Sequence, residues 1–160
     1  QYGTRKMGWP LRGFWENCFH GTCKQTLLRP FLEYPDRRFQ GKKAVYTDAV
    51  HGSLFMVDGK KFLDCGGYDE GIFLYQEEAV LAQRFRKAGY RSVLLLNCHY
   101  RHEHSVSISK SFQGELERQR LREKSVLYYM KNYLSAGVWK IRGCEMLVLG
   151  EFGWRFGQSG

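Results

Sequence analysis

The chain has 160 residues, 25 Lys and Arg against 16 Asp and Glu for a formal charge of +9, and 43% hydrophobic content with 16% aromatics. That composition excludes an intrinsically disordered chain, and no run reaches the roughly 18 apolar residues of a membrane-spanning helix. The positive balance favours an anionic partner (nucleic acid, a phosphorylated ligand or an anionic membrane surface) without choosing among them.

Residues 1–44 are aromatic, glycine-rich and basic, with little periodicity. They read as a long loop region with one short helix near 15–28, and Gly8-Trp9-Pro10 and Tyr34-Pro35-Asp36 are turn signals. Ser53-Leu54-Phe55-Met56-Val57 is a short apolar run suited to a buried strand. Asp58 is placed to cap a helix over 60–64 that Gly66-Gly67 would stop. Residues 75–88 form an amphipathic helical pattern, with Leu81, Phe85 and Ala88 on one face and Gly89 at the left-handed C-terminal position. The continuous apolar run Val93-Leu94-Leu95-Leu96 predicts a strand over 92–98 buried on both faces. A second long helix is expected over 110–134, charged in its first half and aromatic in its second. The tail 135–160 mixes Trp139, Phe152, Trp154 and Phe156 with Lys140, Arg142 and Arg155. The order of strand, helix, helix, strand fits part of an α/β sheet, and no internal repeat or low-complexity segment occurs.

The five cysteines (Cys18, Cys23, Cys65, Cys98 and Cys144) are odd in number and include no CxxC pair. A disulfide framework is therefore not expected, and a reducing compartment is. The chain opens on Gln1 with no signal-peptide pattern, so a truncated or processed cytoplasmic product is the expectation.

The densest chemical signal is Gly66-Gly67-Tyr68-Asp69-Glu70 followed by Phe73-Leu74-Tyr75-Gln76-Glu77-Glu78. Two adjacent carboxylates open a helix, where partial positive charge and unpaired N–H groups favour the ionised form. An ionised, positioned carboxylate can take a proton from a hydroxyl. The plainer alternative is that Asp69, Glu77 and Glu78 are ordinary loop and first-turn acids. A second signal is Cys98-His99-Tyr100-Arg101-His102-Glu103-His104-Ser105, just past the apolar strand, where ligands of α/β sheets collect. His102 and His104 could hold a metal or a diphosphate, or simply be solvated. Cys18-x-His20-x-x-Cys23 resembles half a zinc site, with no second half at finger spacing. Residues 110–142 carry eight Lys and Arg against three Glu, a net +5. This stretch reads either as a solvated face or as a basic, aromatic contact with an anionic membrane.

The ordered combination of these pieces resembles the second half of the GT-A domain in family 2 glycosyltransferases of the rhamnosyltransferase-like kind. That family runs from a small-residue strand to GGFDE-x-FFLY-x-ED, then RLRKAGY, a hydrophobic strand and a histidine loop ending in serine. Here the matching residues are His51-Gly52-Ser53-Leu54-Phe55-Met56, then residues 66–78, then Arg84-Phe85-Arg86-Lys87-Ala88-Gly89-Tyr90. Val93-Leu94-Leu95-Leu96, His102-Glu103-His104-Ser105 and Ser125-Val126-Leu127-Tyr128-Tyr129-Met130-Lys131-Asn132 follow. The likeness covers roughly 45–135.

The resemblance implies an α/β fold: a partial GT-A domain, with a mixed sheet flanked by helices over 1–109 and a basic, aromatic helical extension over 110–160. It implies an inverting transfer from a nucleotide-sugar donor to a hydroxyl of a glycan or lipid-linked acceptor. Glu78 matches the family's base, with Glu77 beside it. Asp69, Tyr75 and Gly52 fall on the acceptor side. His102, or His104 in its place, would help hold a divalent metal, Mg or Mn, on the leaving diphosphate. Two positions depart from the pattern: Glu78 stands where the family has Asp, and Val80 where a second Asp often sits. The extra methylene matters, because a misplacement on the order of 1 Å can cost about 10²-fold in rate. No Asp-x-Asp, the donor-side metal motif, occurs in the chain, so these 160 residues alone are expected not to transfer sugar. The competing readings are a non-catalytic module for an anionic membrane surface or acidic glycan, and a nucleic-acid binder. Only charge supports the last, since no RNP-like, zinc-finger or helix-turn-helix signature occurs. The expected location is the cytoplasm, with peripheral membrane contact through 126–156.

Overall fold

The computed structural model describes residues 7–19, 30, 32–100, 114–144 and 146; the side chains of Glu115 and Leu116 are outside that description. Within it the chain is a mixed α/β protein. In order come β1 (Gly8–Trp9), α1 (Phe14–Phe19), a 3-10 turn (Asp36–Arg38), β2 (Ala44–Thr47), β3 (Ala49–Val50), α2 (Gly59–Asp64), α3 (Glu77–Lys87), β4 (Ser92–Leu95) and α4 (Glu115–Tyr133). Residues 138–144 are also helical.

The strands form two antiparallel pairs. β1 lies against β3 with Gly8 opposite Val50, and β2 against β4 with Val45 opposite Leu94 and Tyr46 opposite Val93. Gly8 and Trp9, read from the sequence as a turn, are thus a strand. Gly8 sits so close to Thr47 that a Cβ would come within 2.6 Å of Thr47 Cγ2. The expected strand at 53–57 does not form. The His51 ring accepts a hydrogen bond from the Ser53 N–H at 3.1 Å, and the Gly52 N–H is taken by the Glu78 carboxylate. The chain therefore turns at 51–53 before any ladder can continue, and Met56 ends 98% exposed. β4 is also shorter than expected and covered on one face only. Leu94 points into the core, while Val93 and Leu95 are exposed on the uncovered side of a two-stranded ribbon.

The helix signals fare better. The Asp58 carboxylate accepts from the Lys61 N–H at 3.1 Å and opens α2. The helix ends in paired bonds from Gly67 N–H to the Phe62 carbonyl (2.8 Å) and from Gly66 N–H to the Leu63 carbonyl (2.9 Å). Both glycines have positive φ, which side-chain-bearing residues rarely adopt. α3 begins two residues later than its apolar pattern and closes at Gly89 (φ 82°) as expected. α4 covers 115–133 of the anticipated 110–134; residues 110–113, and residues 20–28 of the helix expected near 15–28, lie outside the described residues.

Three apolar clusters hold these elements. α4 serves two of them: Met130 packs with Cys18 of α1, Ala136 and Cys144, and Tyr129 packs with Ile72, Ala79 and Val80. Phe39, Val45 and Leu94 form the third, under the β2–β4 ribbon. No helix among the described residues is long and apolar enough to cross a membrane.

Val80 stands where the pattern this sequence resembles often has Asp. It is 1% exposed against Tyr129, and a carboxylate there would be buried without a partner. Val80→Asp is expected to lower the unfolding free energy by about 3–5 kcal/mol; urea denaturation with a midpoint within experimental error of wild type would count against this packing.

Candidate functional site

The first turn of α3 is set up by an unusual entry. Tyr75 (φ 67°) and Gln76 (φ 70°) are both left-handed, and no side chain caps the helix. Each such residue costs about 1–2 kcal/mol in backbone strain. Glu77 and Glu78 follow directly and take different environments.

Glu78 faces a cavity of about 710 Å³. Its Oε1 accepts the Gly52 N–H at 2.9 Å, and no other hydrogen bond of this side chain occurs among the described residues. Gly52 makes the approach possible: a Cβ there would lie 2.6 Å from that oxygen. The cavity walls are mostly apolar, with Leu54, Phe55, Leu81, Phe85 and Leu94 among them. Polar groups enter from His51, Tyr68 and Tyr100, and the Tyr100 hydroxyl hydrogen-bonds Ser53 Oγ. Burial, together with the charges of Glu78 and Glu77, pushes the Tyr68 phenol above its usual range, so it stays a neutral hydroxyl at physiological pH. A half-open, largely apolar cleft with the Glu78 carboxylate and a few hydroxyls on its wall, and with Asp58, Lys61 and Arg91 also lining it, suits a ligand that brings its own hydroxyl group.

Glu77 lies outside the cavity lining. One of its oxygens, Oε2, is buried with no hydrogen-bond partner among the described residues. Burial and then the adjacent Glu78 push its carboxyl above the usual glutamate range. The two acids are therefore unlike: one held by the Gly52 N–H at the cavity, the other turned from it with one oxygen buried and unpartnered among the described residues.

Asp69 also lies outside the lining. Tyr133 and Tyr128 donate their hydroxyls to it (3.1 Å for Tyr128), the Gly71 N–H donates at 2.9 Å, and the Arg84 guanidinium stands 3.6 Å away. Burial works against the charge, but the bonds from Tyr133, Gly71 and Tyr128 and the nearby Arg84 outweigh it, holding the carboxyl below its ordinary range. The Tyr133 phenol is pushed up to about 12, first by burial and then by its bond to Asp69. Arg84 also donates to the Gly67 carbonyl (2.8 Å), to that of Gly66, and to the Tyr133 hydroxyl (2.9 Å). Tyr75 lies outside the cavity lining too, with the Arg122 guanidinium 5.0 Å from its ring centre. Of the sequence-derived acceptor residues, Gly52 alone touches Glu78.

Arg84, Tyr128 and Tyr133 received no role from the sequence, although Arg84 sits inside the motif that carries the resemblance. The aromatic run of α4 faces inward at Tyr129, and Tyr128 and Tyr133 turn to Asp69. His102 and His104 lie outside the described residues, as do His20 and Cys23 of the half zinc site. Cys18 is buried beside Met130, and a hydrogen bond with Cys144, with burial added, pushes its thiol upward. Among the described residues no three His, Cys, Asp or Glu side chains converge as metal ligands. No family model, curated protein or solved structure matches the chain.

Two measurements check these electrostatics. Tyr133→Phe removes a bond to a charged acceptor and is expected to cost about 1.5–3 kcal/mol. Because the folded carboxyl of Asp69 is depressed, the stability it supplies is complete above the ordinary Asp value of about 3.9 and is lost as pH falls through the lower folded value. The gap between Tyr133→Phe and wild type should therefore close in strong acid. Glu77 has the opposite sign: its raised folded value favours the protonated fold at low pH, and stability is lost as pH rises through that value. Glu77→Gln should thus melt above wild type at pH 7 and equal to it below about pH 4.

Proposed function

We propose that this chain is the acceptor-side half of an inverting glycosyltransferase of the GT-A kind, family 2, with Glu78 as its general base. The substrate pair is a nucleotide-sugar donor and a hydroxyl on a glycan or lipid-linked acceptor. The observation that carries the reading is the Glu78 carboxylate: it borders the cavity, Gly52 N–H holds one oxygen, and no donor to the second occurs among the described residues.

In the step this assigns, the acceptor hydroxyl oxygen forms a bond to the anomeric carbon on the face opposite the diphosphate. Its proton passes to Glu78, and the bond from anomeric carbon to diphosphate oxygen breaks with its electron pair leaving on the diphosphate. The bond from Gly52 fixes the carboxylate's position, which matters more here because Glu reaches one methylene further than Asp. Glu77 keeps a second carboxyl beside the base, raised first by burial and then by the charge of Glu78. Asp69 with Arg84 positions the loop before α3, so its contribution to the acceptor site acts through that loop. His102, or His104, is the residue assigned to a magnesium or manganese ion, which when bound would stabilise the charge developing on the diphosphate.

The reading is tested with the chain joined to a nucleotide-sugar-binding half carrying an Asp-x-Asp motif. Sugar transfer is expected from the joined protein and none from the 160 residues alone. Glu78→Gln in the joined protein should lower kcat by about 10²–10⁴-fold, and Glu77→Gln by far less. Wild-type turnover in Glu78→Gln would refute the assignment of the base, and transfer by the isolated chain would refute its being a half.

A further inference from the structure

The helical segment 138–144 has two faces. Ile141 and Cys144, three apart, pack into the cluster around Met130. Val138, Trp139, Arg142 and Met146 fall within about a 100° arc on the other side at 3.6 residues per turn. Val138 is 64% exposed, Trp139 82% and Met146 76%. Large apolar side chains are rarely left so open next to one another unless something else covers them.

A second element joins this face from the far end of the sequence. In α1, Phe14, Asn17 and Cys18 turn inward, and Trp15 points out, 60% exposed and stacked on Phe19 with ring centres 6.3 Å apart. The two elements meet where Lys140 Nζ stands 6.0 Å from the centre of the Phe14 ring. Arg142 stands 5.7 Å from the centre of the Trp139 ring. The patch thus combines two exposed tryptophans, two further apolar side chains and two cations carried on aromatic rings. Glu16 is its acid on α1. None of these residues lines the Glu78 cavity.

We infer that Trp15, Val138, Trp139 and Met146, with Lys140 and Arg142, form a surface that docks on an anionic lipid bilayer. Indole rings seat at the boundary between headgroup and acyl chain, their carbon frame buried and their N–H wet. Lysine and arginine lay their stems along the apolar layer and leave the charge among the phosphates. The chain's charge of +9 has the sign required for approach to such a surface. Nucleic acid is the less suitable occupant: the exposed Val138 and Met146 offer phosphates nothing. This surface keeps the 138–146 part of the stretch 126–156 that the sequence marked out, loses Tyr129 of α4 to the core and gains Trp15 from α1.

The test is co-sedimentation of the whole chain with vesicles of phosphatidylcholine, alone or mixed with phosphatidylglycerol, at low salt and at about 0.5 M salt, where screening is short-ranged. Binding to the mixed vesicles at low salt is expected, weakened at high salt and absent from phosphatidylcholine alone. The pair Trp15→Ser with Trp139→Ser, both at exposed positions and checked for fold by near-ultraviolet circular dichroism, should weaken binding by about tenfold or more. Lys140→Glu with Arg142→Glu should weaken it by roughly tenfold or more and abolish its salt dependence. Equal binding to both vesicle types, undiminished binding by both variant pairs, or tight salt-dependent binding to single-stranded RNA with none to vesicles would each overturn the inference.

Discussion

One carboxylate joins the parts of this protein that the chain itself separates. Asp69 lies in the loop after α2, Arg84 on α3, and Tyr128 and Tyr133 on α4, and all three side chains and the Gly71 N–H converge on it. The ring of Tyr128 crosses Gly71 so closely that no Cβ would fit there. A desolvated charge with too few donors would be a liability; with four partners from the loop and both helices it ties their relative positions together. The position of α3, and hence of Glu78, depends on this junction. The apolar contacts of Val80 with Tyr129 and of Cys18 with Met130 add adhesion but set no angle so sharply.

The parts of the fold that were legible in the sequence are those governed by local chemistry. Asp58 capping α2, the glycine pair that ends it, the Gly89 stop and the existence of α3 and α4 each depend on residues within one helical turn of the event. What was not legible depends on distant partners. The apolar run 53–57 has strand composition, yet the chain turns just before it, where the Gly52 N–H is taken by a carboxylate 26 residues away. Val93 and Leu95 are apolar as in a doubly covered strand, but the ribbon around them has only two strands.

The same division holds at the candidate site. The acidic pair was visible as a helix start, but not that its two members would be treated differently. Gly52 supplied the difference, and its importance lies in the side chain it lacks, which no pattern of residue types displays. Tyr128 and Tyr133 were visible only as aromatics on a basic helix. Their hydroxyls became informative once α4 had been folded onto Asp69, a pairing across 59 and 64 positions of sequence.

The two left-handed residues before α3 carry a consequence for which acid does what. An α-helix turns about 100° per residue. If the chain slipped by one residue along the helix, Glu77 would take the bearing of Glu78 toward the cavity and Glu78 that of Ala79, away from it. Tyr75 and Gln76 hold the helix to a single starting point, Val80 keys the next turn into the core, and Arg84 ties the turn after that to the glycine loop. The three act as the wards of a lock: each admits only one phase of the helix, and that phase selects one of two chemically similar neighbours. Backbone strain at Tyr75 and Gln76 thus serves as a selector, converting a repeated letter in the sequence into two distinct places in the molecule.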